Sequence, residues 1–171
     1  MTSRFLGTVV GAVTVVLYAG CSSNTTSPSP TPSPTPSPSP PTAPTSSFSA
    51  TFDENPVAFK ASGCSVSVPQ GWYTNARLQE TGGAAFTVNT FVQKLDGAAS
   101  GLLNESFNSR FGACAGGTFT ANVMPANGAV CASVGVCTTA SFGTYQFEIG
   151  GTDANGHAVT FTSPVLQFRA R

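Results

Sequence analysis

Apolar and polar residues alternate in short runs along most of this chain, with a period of two. Phe48, Ala50 and Phe52 are separated by Ser49 and Thr51 ahead of Asn55-Pro56, and Val66 and Val68 alternate with Ser65 and Ser67 before Pro69-Gln70-Gly71. Trp72, Thr74, Ala76 and Leu78 share one face of the next run, Tyr73, Asn75, Arg77 and Gln79 the other, and Gly82-Gly83 closes it. Residues 86–95 form a further run ending at Asp96-Gly97, and residues 118–123 and 130–136 form two more around Asn127-Gly128. Successive side chains of a strand point to opposite faces, so each run predicts a half-buried strand, and the Gly, Pro, Asn and Asp pairs between them predict turns.

The clearest run is Gly143-Thr144-Tyr145-Gln146-Phe147-Glu148-Ile149, which puts Tyr145, Phe147 and Ile149 on one face and polar residues on the other. Residues 150–156, with Asp153 and Asn155-Gly156, predict the turn after it, and residues 157–161 predict the returning strand. Pro164 cannot donate to a ladder, so it predicts an edge or a bulge before Leu166 and Phe168. Residues 101–111 stay ambiguous: Leu102, Leu103, Ser106, Phe107 and Arg110 have helical spacing, while Phe107, Ser109 and Phe111 alternate like a strand. About seven short strands, punctuated roughly every 8–12 residues, predict an all-β sandwich or small barrel.

All of the thirteen phenylalanines except Phe5 lie beyond residue 47, spread along the strand-rich part, and supply its core. Residues 48–171 have the ordinary size of one domain. Charged residues are only 8% of the chain, against the usual quarter, and small polar residues take their place, which suits a secreted β-protein better than a cytosolic helical one. The seven basic and seven acidic side chains balance, and the basic ones form no stripe, so nucleic acid is not an expected partner.

The beginning of the chain has another character. One cation, Arg4, precedes an apolar or small stretch from Phe5 to Ala19, shorter than the roughly 20 residues that cross a bilayer. Residues 1–20 therefore read as a signal peptide. Leu17-Tyr18-Ala19-Gly20-Cys21 resembles the lipobox of bacterial lipoproteins, with Tyr18 where an aliphatic residue is usual. The resemblance implies that Cys21 is diacylated, becomes the N-terminus on cleavage and is acylated again there. Several acyl chains hold a membrane where one binds only marginally. Ser22 stands where Asp would imply inner-membrane retention, so the implied location is a bacterial cell envelope, at the outer membrane or cell surface. Residues 21–47 follow as a linker almost wholly of Ser, Thr and Pro; every proline except Pro56, Pro69, Pro125 and Pro164 lies between Pro28 and Pro44. Such a sequence forms neither helix nor sheet and predicts a disordered, semi-rigid polyproline II spacer of about 3.1 Å per residue, reaching up to roughly 80 Å.

The closing hairpin, with its Gly-x-Tyr-x-Phe start and Thr152-Asp153-Ala154-Asn155-Gly156 turn, resembles the last two strands of bacterial immunoglobulin-like domains. The resemblance implies an immunoglobulin-like β-sandwich for residues 48–171 and makes Tyr145 the tyrosine-corner candidate, its hydroxyl bonded back to the preceding loop. The antibody form is absent, because Trp72 follows Cys64 by only eight residues and no Cys stands two after Tyr145.

Lipidation of Cys21 leaves Cys64, Cys114, Cys131 and Cys137, which allow three pairings. If residues 130–137 are one extended strand, Cys131 and Cys137 lie on one face about 20 Å apart, beyond the roughly 7 Å a cystine tolerates between Cα atoms, and each must reach Cys64 or Cys114. If Gly135 turns the chain instead, Cys131–Cys137 with Cys64–Cys114 is open as well. No Cys-x-x-Cys occurs and His157 is the single histidine, so the pattern predicts disulfides rather than zinc and implies no cofactor.

His157 is also the only base available to a hydrolase triad, it follows a turn four residues after Asp153, and no Gly-x-Ser-x-Gly elbow accompanies it. Asp53 and Glu54 are adjacent and point to opposite faces of a strand, and Glu105 and Glu148 meet only if folding brings them together. Asp153 and Asn155 offer oxygen ligands to Ca²⁺, but in turns such residues commonly bond their own backbone. The expected function is accordingly non-catalytic: a lipid-anchored envelope protein that displays its domain for protein or surface recognition, in an adhesion or accessory role. Two alternatives stand beside it: polysaccharide binding by sugar stacking on Trp72 or Tyr73, with Trp72 as a core residue the competing assignment, and a passive spacer subunit of an envelope assembly.

Overall fold

The computed structural model describes residues 42–171; the signal segment, Cys21 and most of the proline-rich linker lie outside them. Eleven strands follow in order: β1 (Phe48–Phe52), β2 (Phe59–Lys60), β3 (Gly71–Glu80), β4 (Phe86–Leu95), β5 (Ala98–Ala99), β6 (Gly112–Ala113), β7 (Val123–Met124), β8 (Ala129–Cys137), β9 (Thr144–Asp153), β10 (Ala158–Thr162) and β11 (Leu166–Gln167). They form two antiparallel sheets. The first has the order β1-β3-β8-β6, with β2 on the start of β3, and the second β10-β9-β4-β5, with β11 on the start of β9 and β7 on the start of β4.

The period-two pattern decides which faces meet. β3 and β8 pair without interruption from Gly71 opposite Cys137 to Gln79 opposite Ala129, so Trp72, Thr74, Ala76 and Leu78 turn inward together with Val130, Ala132, Val134 and Val136. On β4 the alternation changes phase. A bulge between Val88 and Thr90 absorbs one residue, and the inward set passes from Phe86 and Val88 to Phe91, Gln93 and Leu95. Tyr145, Phe147 and Ile149 of β9, all fully buried, complete the layer between the sheets. Phe147 is the hub, with ring centroids of Phe111, Phe91, Phe161 and Tyr145 at 5.4, 6.1, 6.4 and 6.5 Å. Burying each such side chain contributes about 1.5–3 kcal/mol.

Several sequence expectations are corrected. Residues 65–68 form no strand: Ser65 N–H donates to Val68 O, Val68 N–H returns to Ser65 Oγ at 2.9 Å, and the tight turn leaves Val66 wholly exposed. Their alternation has no core to face. Residues 118–123 yield only the two-residue β7, because Asn122 takes a positive φ of 58° and turns the chain back on Thr120. The ambiguous 101–111 segment is neither strand nor long helix. A 3-10 turn at Gly101–Leu103 and the single helical turn α1 (Phe107–Arg110), capped by Ser106 Oγ, carry the chain from β5 at the edge of the second sheet to β6 at the edge of the first. Phe107 and Phe111, stacked at 4.9 Å, plug the core from this crossing. The expected 150–156 turn is shorter, since β9 runs on to Asp153. Gly150 and Gly151 are strand residues; a Cβ on Gly151 would collide with Thr87 O and the Phe86 ring, so glycine permits the close approach of β4. Ser46, ahead of β1, is only 5% exposed.

Candidate functional site

The outer face of the first sheet gathers most of the chain's unusual chemistry. Tyr73, Asn75, Arg77 and Gln79 of β3 stand opposite Gly135, Ser133, Cys131 and Ala129 of β8. Cys137 bonds Cys64 and Cys131 bonds Cys114, so both cystines fasten loops to the outer face of one sheet and neither crosses between the sheets. This is the arrangement open to two cysteines on one extended strand. One open cleft of about 510 Å³ is lined by Asp53, Asn75, Arg77, Cys131 and Ser133. A second, of about 410 Å³, lies between the Cys64 loop and the 101–111 crossing, over Tyr73 and Gly135, and Ser133 lines both. In the second cleft Arg110 pairs with Glu105 at 2.6 Å and donates from Nη1 to Ser133 O at 2.9 Å.

Tyr73 lines this face but is not free. Its hydroxyl donates to Ser62 O at 2.8 Å, and Lys60 Nζ lies 4.5 Å from its ring centroid. Trp72 points the other way and is 1% exposed, between Phe59 and Phe168 at 4.9 and 5.3 Å, with its indole N–H on Arg169 O. The period-two alternation of β3 sends Trp72 to the core and removes it as a sugar platform. Tyr145 is also buried, and its hydroxyl donates to Gln93 Oε1 at 2.9 Å rather than to the preceding loop. The β4 bulge turns Gln93 inward, where its Nε2 donates to Leu103 O at 3.0 Å and ties the crossing to the core. Burial pushes the Tyr145 phenol well above its ordinary pKa.

The acidic pairs do not converge. Asp53 accepts from Asn75, Glu54 lies 3.6 Å from Lys60, and Glu148 pairs with Lys94 at 3.0 Å. His157 Nδ1 lies 2.9 Å from Asp153 Oδ2. Asp153 also accepts from the backbone N–H groups of Asn155, His157 and Ser46, and Asn155 Nδ2 donates away to Pro44 O, so both carboxylate oxygens are already engaged and the pair does not form a Ca²⁺ cradle.

These contacts belong to a second constellation, around the residues that lead into β1. Glu80, fully buried at the end of β3, accepts four backbone N–H groups: Ser47 and Gly82 on Oε1, Gly83 and Asn127 on Oε2. Ser46 N–H reaches Asp153 and its hydroxyl reaches Ala84 O at 2.8 Å. Ser46 and Ser47 are thereby held by one carboxylate from each sheet, and Pro44 by the Asn155 amide. Burial pushes both carboxyls up, but the donors outweigh it: Glu80 is held below its ordinary pKa, and Asp153 is held down at about 2. The sequence offers one signal for this clamp, an acidic residue directly before Thr81-Gly82-Gly83, whose flexible backbone can fold its N–H groups onto a carboxylate.

Compared with family models, curated proteins and solved structures, the chain matches none of them. Its function is therefore argued from geometry and chemistry.

Proposed function

We propose that this chain is a non-catalytic lipoprotein of a bacterial cell envelope, anchored through Cys21 at the outer membrane or cell surface, that holds an immunoglobulin-like domain away from the lipid for recognition. The immunoglobulin-like reading is supported by strand order. With β1, β3, β4, β5, β6, β8, β9 and β10 lettered A, B, C, C′, D, E, F and G, the sheets run A-B-E-D and G-F-C-C′, the order of that fold.

The observation that carries the display reading is the clamp on residues 44–47. A spacer that simply led into a domain would need no partners at its end. Here its last residues are fixed by Glu80 and Asp153, so the segment enters β1 from one defined place on the domain. Recognition is favoured over a passive spacer role by the outer face of the first sheet, where two adjoining clefts are walled by cystine-fastened loops.

Fractionation of cells and mass spectrometry of the mature N-terminus test this. Wild-type protein partitions into detergent with an acylated Cys21, and Cys21→Ala becomes soluble. A wild-type N-terminus without lipid, or equal partitioning of the two proteins, rejects the reading.

A further inference from the structure

We propose that the groove on the outer face of the first sheet binds an extended polysaccharide bearing carboxylates, with Arg77 receiving a uronate carboxylate and the Asp53–Asn75 pair receiving neighbouring ring hydroxyls. This assigns a ligand class to the recognition face and rests on the reading of that face as the working surface.

Charge complementarity is the first argument. Lys60, Lys94 and Arg110 each have a carboxylate partner, whereas Arg77, Arg169 and Arg171 have none among the described residues, and of these three only Arg77 lines the clefts. Its guanidinium is nevertheless held in place. Nη2 donates to Gln79 Oε1 at 3.0 Å, and Gln79 Nε2 donates to Asn127 O at 3.0 Å, a relay that braces the fork over the sheet from below. A guanidinium oriented by one N–H, with the others unspent, is a preformed bidentate receiver for a carboxylate.

The second argument is the kind of hydrogen bonding left over. Asn75 Nδ2 donates to Asp53 Oδ2 at 2.9 Å, and the backbone Asp53 N–H donates to the backbone Asn75 O at 3.0 Å, so one side-chain bond joins two residues already paired through the main chain. Each keeps one oxygen, Oδ1, turned to no protein donor among the described residues. Two acceptors beside a free cation ask for a ligand that brings O–H donors next to a negative charge, and an acidic sugar does so within a single ring. An acidic peptide supplies the charge without the hydroxyls.

Shape is the third. Ser133 and Gly135 make a low floor across β8, opposite Asn75 and Tyr73, and the Cys114–Cys131 cystine stands opposite Arg77. Outward positions on a strand recur every ~6.6 Å, so Arg77 to Tyr73 spans about 13 Å, and the two clefts adjoin at Ser133, which lines both. Two open clefts side by side suit an extended chain rather than a small molecule.

Titration calorimetry of the purified full chain in detergent, against hexamers of galacturonate, mannuronate and glucuronate, their methyl esters, neutral cellohexaose and hexaglutamate, tests the assignment. At least one hexauronide binds, its affinity falls with added salt, and its methyl ester binds about ten-fold or more weakly. Arg77→Gln and Asn75→Ala lose about ten-fold or more while melting like the wild type. The esterified ligand keeps the test valid even if a variant folds poorly. No binding to any hexauronide, equal binding of acid and ester, cellohexaose binding as tightly as the acids, or hexaglutamate binding as tightly as the sugars overturns it. Failure here leaves the lipid anchor untouched, and a soluble, unlipidated wild type that still binds uronides leaves the groove untouched.

Discussion

Glu80→Gln isolates the contribution of the linker clamp. Each oxygen of the Glu80 carboxylate accepts two backbone N–H groups, at 3.2 and 2.7 Å on Oε1 and at 3.0 and 2.7 Å on Oε2, in a fully buried position. Glutamine keeps the shape but replaces one oxygen with an NH₂ that must face two N–H donors. Two buried donors then lack acceptors at about 1–3 kcal/mol each, so the substitution costs about 2–6 kcal/mol, a large part of the 5–15 kcal/mol that holds a typical domain together. The assay is urea unfolding at neutral pH, followed by limited proteolysis, where residues 42–47 of the variant become the first site cut. Acid supplies an internal control. The folded-state pKa of Glu80 lies below the ordinary 4.5, so the native state binds fewer protons and the carboxylate's contribution is present above about pH 4.5. It fades as pH falls through the folded value, and the wild-type and variant curves draw together there. A neutral-pH difference below about 0.5 kcal/mol, or a gap that does not narrow in acid, refutes the clamp as described.

Other expectations follow from the same geometry. Asp153, with a folded pKa of about 2 against an ordinary 3.8, gives stability that is full above pH 3.8 and lost between there and about 2; Asp153→Asn flattens that window in acid-unfolding curves. Breaking Cys64–Cys137, which spans 73 residues, costs about 4 kcal/mol and breaking Cys114–Cys131, which spans 17, about 3 kcal/mol, on the chain-entropy account, so paired Cys→Ser variants rank in that order by urea midpoint; the reverse order speaks against that account. Gly151→Ala drives a methyl into Thr87 O and the Phe86 ring and lowers stability by about 2 kcal/mol or more by calorimetry, whereas Gly156→Ala meets open space and differs by its positive φ alone.

The long strands were legible because alternation and burial coincide in them. β3 reads correctly residue by residue, with Trp72 inside and Tyr73 outside, since a central strand paired on both sides has no freedom to slip. Alternation misleads at 65–68 and 118–123, where short side chains alternate but a serine turn and a positive-φ asparagine direct the backbone instead. The 101–111 crossing is illegible from period because Phe107 and Phe111 are placed by the core they plug and not by their own segment. Of the candidate sites, strand length excludes a Cys131–Cys137 bridge once residues 130–137 are taken as extended but leaves two pairings, and only the fold selects Cys64–Cys137 with Cys114–Cys131. The role of Gln93 as partner of Tyr145 depends on a one-residue bulge that no local pattern announces. Glu80, Asp153 and Ser46 come from distant parts of the chain, and only their meeting makes a clamp.

That clamp also sets how a pull on the residues ahead of β1 enters the fold. Ser47 hangs from Glu80 of the first sheet and Ser46 from Asp153 of the second, while Pro44 is gripped by Asn155 beyond the end of β9. A tug on residue 44 is therefore divided between both layers before it reaches the β1 ladder. Tension entering there draws on the two halves of the sandwich together instead of peeling its first strand away.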